Sequence, residues 1–89
     1  MAKETLRRVE VEWLDSATQM QWLPLTHYLD PRRIGPLPCT SVGYLMRHDD
    51  EAVVVVQSLA ENDSAADSIS IPTACVQKIR RLYTRAEVK

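Results

Sequence analysis

Ser68-Ile69-Ser70-Ile71-Pro72-Thr73-Ala74-Cys75-Val76-Gln77-Lys78-Ile79-Arg80-Arg81-Leu82 is the stretch on which the reading of this 89-residue chain turns. It opens as a strand, with Ile69 and Ile71 alternating against Ser68 and Ser70. Pro72 ends that strand, because proline offers no N–H to a ladder and fixes its own φ. Apolar residues return at Val76, Ile79 and Leu82. Together with Tyr83 they also suit an amphipathic helix beginning after Thr73. The preferred reading is one short helical turn at residues 73–75, then a last strand.

Upstream, Val9, Val11 and Trp13 alternate with Arg8, Glu10 and Glu12, which predicts a half-buried strand over residues 6–14. Asp15-Ser16 turns the chain. Met20-Gln21-Trp22-Leu23 reads as a short second strand or an extended return, stopped by Pro24. Residues 26–30 suit one helical turn capped by Thr26 and blocked by Asp30-Pro31. Residues 31–38 hold three of the five prolines and Gly35, and read as an irregular loop. Such loops are where small barrels keep binding groups.

Residues 39–47 read as a strand, with Thr40, Val42, Tyr44 and Met46 on one face and Ser41, Gly43, Leu45 and Arg47 on the other. Gly43 inside it predicts a bulge, a bend or the close approach of another backbone. His48-Asp49-Asp50-Glu51 is a polar hairpin turn. Residues 52–59 carry four consecutive valines, Val53 to Val56, two on each face of a sheet. One pair belongs in the core. The other must meet the 22–29 segment or a second subunit. Residues 61–67 form a polar loop.

Five short strands, hairpins and one proline-bounded turn describe a mostly β protein, a small five-stranded antiparallel barrel. One domain is expected over residues 6–83, with tails at 1–5 and 84–89. A chain of this length buries roughly 60–65% of its unfolded surface, so its stability is marginal unless a partner adds burial.

Net charge is −1, which argues against a general field for nucleic acid or an anionic membrane. Charges are still segregated. Residues 49–67 hold six acids and no base, and residues 76–89 hold five bases against Glu87. The first residues lack the apolar core of a signal peptide, and no stretch reaches membrane-spanning length. Cys39 and Cys75, without a secretion signal, read as reduced core thiols in the cytoplasm.

No His or Cys pair has zinc-ligand spacing, no glycine loop would cradle phosphate, and the acids at 49–51 share one solvated turn. Neither an enzyme nor a cofactor is expected. Binding remains, with Trp22, Tyr28, Arg32, Arg33, Val54, Arg80, Arg81 and Tyr83 as the candidate interaction residues. Association with protein is the leading expectation, most simply as a two-fold dimer. The alternative is a nucleotide or nucleic acid, held by the arginine pairs Arg7-Arg8, Arg32-Arg33 and Arg80-Arg81 with interleaved aromatics.

Ile71-Pro72-Thr73-Ala74-Cys75-Val76-Gln77-Lys78-Ile79 resembles the closing motif of Src-homology-3-like barrels, and residues 51–56 resemble the strand that precedes it. The resemblance implies the barrel. The aromatic opening motif and paired tryptophans of the peptide-binding members have no counterpart, and Cys75 stands where they carry a ligand-contacting tyrosine. That argues against a groove for proline-rich peptides. Val11-Glu12-Trp13-Leu14-Asp15, Cys39-Thr40-Ser41-Val42-Gly43 and Ile71-Pro72 also resemble small uncharacterised proteins of tailed bacteriophages. This second resemblance implies a short intracellular phage protein acting on phage or host components.

Overall fold

Alternating residues of the first strand set the register of a five-stranded antiparallel sheet. The structure is a computed structural model that describes residues 6–88, so the expected tail at 1–5 lies outside the described residues. Strands β1 (Arg8–Asp15), β2 (Leu37–His48), β3 (Ala52–Leu59), β4 (Ala65–Pro72) and β5 (Val76–Leu82) are joined in the order β4-β3-β2-β1-β5. A single 3-10 turn at Thr73–Cys75 separates β4 from β5, and a five-residue helix, α1 (Leu25–Leu29), lies between β1 and β2. The sheet is open: β4 and β5 are its two edges and do not pair.

Its core forms on one face. Val9 stands opposite Gly43, Val11 between Ser41 and Ile79, Val53 opposite Ile71, and Val55 between Leu45 and Ile69. Val9, Val11, Val53, Val55 and Ile71 are the buried cluster, with Trp13, Leu45, Ile69, Cys75, Val76 and Ile79 packed against it. Residues directly across an antiparallel pair share a face, so the alternation in sequence becomes a continuous apolar layer. The Trp13 indole N–H, half-buried beside this layer, donates to Ser41 Oγ at 3.0 Å and is thereby satisfied.

β3 passes close beside Gly43 of β2, at the end of their paired stretch. A Cβ there would stand 2.5 Å from both Val55 Cγ1 and the Val56 carbonyl oxygen. Its φ is ordinary, so the need is for space.

Two registers slip. Leu45 pairs with Val55 but Arg47 with Val54, leaving Met46 as a bulge. Arg47 therefore shares a face with Val54 and not with Leu45, which corrects the alternation expected through residue 47. On β5, Lys78 pairs with Glu12 and Val76 with Trp13, leaving Gln77 as the extra residue.

The β2–β3 turn is tied to the 3-10 turn. Asp49 Oδ1 accepts from the N–H groups of Glu51 and Ala52 at 2.9 and 3.0 Å. Thr73 donates its N–H to the Glu51 carbonyl at 3.1 Å and its hydroxyl to the Asp49 carbonyl at 2.7 Å. Thus the proline-bounded turn closes onto the hairpin across 24 residues of chain.

Candidate functional site: an apolar arm and an open groove

Between β1 and β2 the chain makes an excursion of 21 residues (16–36) whose only regular piece is α1. Expectation and structure part here. Met20-Gln21-Trp22-Leu23 pairs with no strand, and the backbone bends at Gln21. Thr26 does not cap α1, which begins one residue earlier, directly after Pro24, with no side-chain cap. Pro24 itself occupies the cap position with extended backbone, and its carbonyl accepts from the His27 N–H at 3.0 Å.

The arm does not fold back over the valine strand. No residue of α1 is buried. Trp22 is fully exposed, and Met20, Leu25 and Leu29 are each at least 80% exposed. Inside the arm, Tyr28 Oη donates to the Gln21 carbonyl at 3.0 Å, joining the helix to the preceding segment. Asp30 accepts from the Arg32 backbone N–H at 2.9 Å and lies 3.3 and 3.4 Å from the Arg32 and Arg33 guanidinium groups. Those bonds hold its carboxyl below the usual carboxylate range, the Arg32 backbone N–H contributing most. At the arm's base its two ends run side by side around an open hollow of about 330 Å³ between Ser16, Gln19, Arg33 and Pro36.

The remaining candidates are dispersed. Val54 is half-buried on the face opposite the core, while Val56 on that same face is buried, level with Tyr44 and Ser68. Arg80 bridges Glu10, at 2.6 Å, and Glu12 on the neighbouring strand; these bonds raise its pKa. Arg81 stacks over the Tyr83 ring at 4.8 Å, and Tyr83 is exposed. Arg8 pairs with Glu87. Arg8 and the Arg80-Arg81 pair lie on the neighbouring strands β1 and β5, while Arg32-Arg33 lies on the arm, and carboxylates occupy Arg8, Arg32, Arg33 and Arg80. The arginines form no common basic groove among the described residues.

Sequence reasoning missed a second feature. β2 pairs with β1 along residues 37–44 but with β3 only from Tyr44 onward. Below that point β2 and β3 splay apart, leaving an open groove of about 570 Å³ lined by Thr40 and Val42 of β2, Gln57 of β3, and Asp67 and Ile69 of β4. Asp67 and Gln57 face each other at the one unpaired position within an otherwise constant β3–β4 register, and Asp67 holds a left-handed φ of 61° inside its strand. Only Gly43, the residue beside the point of divergence, hinted at this in the sequence.

Among the described residues no group of His, Cys, Asp and Glu is placed to hold a metal ion, and no helix is long and apolar enough to cross a membrane. Cys39 and Cys75 are both free and half-buried. Comparison with family models, curated proteins and solved structures gave no match to this chain.

Proposed function

We propose that this protein is a non-enzymatic interaction module that works by protein–protein contact, including self-association, and that its arm is the contacting element. The observation that carries the reading is the arm's surface. From Ser16 to Leu29 there is no Asp, Glu, Lys or Arg in a chain that is 26% charged, and this stretch presents Met20, Trp22, Leu25 and Leu29 to solvent. Large apolar side chains exposed together in one uncharged stretch mark association sites, and tryptophan is enriched among their anchors.

The dimensions agree. The chain exposes 7211 Å², where a compact protein of its mass exposes roughly 5300 Å². Its radius of gyration is 17.2 Å against about 12 Å for a compact domain of this length. The surplus surface exceeds the roughly 800 Å² that each partner contributes to a standard interface. A small core and a large unused apolar surface are what a protomer looks like before it meets its partner.

The fold is proposed to be of the Src-homology-3-like kind, with its barrel open between β4 and β5; the β4-β3-β2-β1-β5 strand order and the 3-10 turn between Pro72 and Val76 support this reading. A cytoplasmic, phage-encoded setting accords with the two free thiols and with the resemblance described above.

Trp22→Asp tests the reading. The variant keeps the wild-type far-ultraviolet circular dichroism and the melting temperature of the dilute protein, because Trp22 is fully exposed and contacts no part of the core, and it loses association in sedimentation equilibrium by at least tenfold. Wild-type association retained in that variant would overturn the role of the arm. A salt series separates the nucleic-acid alternative. Apolar contact responds weakly to salt, whereas several phosphate contacts would weaken steeply.

A further inference from the structure

The groove between β2 and β3 has the form of an empty strand position. Leu45 N–H donates to the Arg7 carbonyl at 2.8 Å. In an antiparallel ladder the hydrogen-bonding direction alternates, so the odd residues of β2 point their backbone groups at β1 and the even residues point theirs away. Tyr44 uses its outward groups on Val56. Thr40 and Val42 direct theirs into the groove, where no strand pairs with them. Pro38, also even, has no N–H to offer there, and its ladder with Leu14 is undisturbed for the same reason.

The sheet's other free edges carry the protections that proteins use against strand addition. β5 bears Lys78, Arg80 and Arg81 and a bulge at Gln77. β4 bears Pro72 and the left-handed kink at Asp67. The edge at Thr40 and Val42 has no charge and no bulge, and Val42 is half exposed. Meanwhile the chain contains one strand-like segment with nowhere to pair, Met20-Gln21-Trp22-Leu23. It is uncharged, and the groove carries a single charged residue in its lining, Asp67.

We infer that the groove receives the Met20-Gln21-Trp22-Leu23 segment of a second copy, which adds as a strand to the β2 edge at Thr40 and Val42, and that the exchange is reciprocal about a two-fold axis. This rests on the self-association reading above and names its partner and its geometry. Addition straightens the bend at Gln21. The Gln21 carbonyl already engages Tyr28, and in an extended segment it points opposite to the groups of Met20 and Trp22, which are left to pair with β2. A two-fold exchange satisfies both open edges at once and closes the assembly at two copies.

The experiment is amide hydrogen exchange by NMR on the full chain over a hundredfold range of protein concentration, beside sedimentation equilibrium on the same samples. The expected result is a dimer in which the Thr40, Val42, Met20 and Trp22 amides gain protection together, at least tenfold, as the dimer population rises. In the Val42→Pro variant, which removes an N–H facing the groove and none facing β1, the dimer dissociates at least tenfold more readily. A dimer whose Thr40 and Val42 amides still exchange freely would overturn the strand exchange while leaving self-association standing. A monomer at every concentration would overturn both, and concentration-independent protection in it would mean that the chain's own arm fills the groove.

Discussion

Gly43 and Asp49 show how single residues set this fold. At Gly43 the obstacle to a side chain is the Val56 carbonyl oxygen as well as a valine methyl, and backbone in a paired strand cannot yield cheaply. Gly43→Ala therefore destabilises by about 1–3 kcal/mol in denaturant titration, while Gly35→Ala, with nothing within 4 Å of the new methyl, leaves the midpoint nearly unchanged. Asp49 is held at a pKa of about 2, chiefly by the Arg47 guanidinium and then by the Ala52 and Glu51 N–H groups. Its folded pKa lies below the ordinary value near 4. The stabilisation is therefore complete above about pH 4 and is lost as pH falls through about 2. An NMR titration of the Asp49 carboxyl should place its midpoint near 2, and Asp49→Asn should flatten the acid limb of stability between those two pH values.

At the scale of elements, the valine strand separates what alternation reveals from what it conceals. Val53 and Val55 face the core and Val54 faces away. Val55→Glu thus buries an unpaired carboxylate and unfolds the protein, whereas Val54→Glu stays folded, by circular dichroism and thermal melting. The cores of the strands, the 3-10 turn at residues 73–75 and the final strand were legible because apolar alternation and Pro72 are local signals. The first residues of β2 (37–38) and of β4 (65–67), which read as loop, were not, because they lack apolar alternation. The bulge at Met46 was not, since it comes from β3 approaching across a hairpin and leaves the composition of β2 unchanged. The segment around Trp22 misled for a related reason. Its residues have the character of a strand, but a strand also requires a partner edge, and residues 16–36 are carried away from the sheet by α1 and the prolines around it. The candidate residues at Trp22 and Tyr28 were legible as aromatics near a loop. The groove was not, because it is made by the divergence of two strands whose individual sequences look regular.

For the whole molecule, an open sheet with a core of a few valines and isoleucines leaves much apolar surface unburied, which makes stability depend on association. The melting temperature should accordingly rise with protein concentration, and Trp22→Asp should remove that dependence without lowering the melting temperature of the dilute protein. Native mass spectrometry of the gently purified full-length chain tests the central claim most directly. The account predicts a species at twice 10.1 kDa that Trp22→Asp converts to the monomer with an unaltered charge-state envelope of the folded form. A wild-type protein that is monomeric and partnerless at every concentration, with the same spectrum as Trp22→Asp, would contradict it.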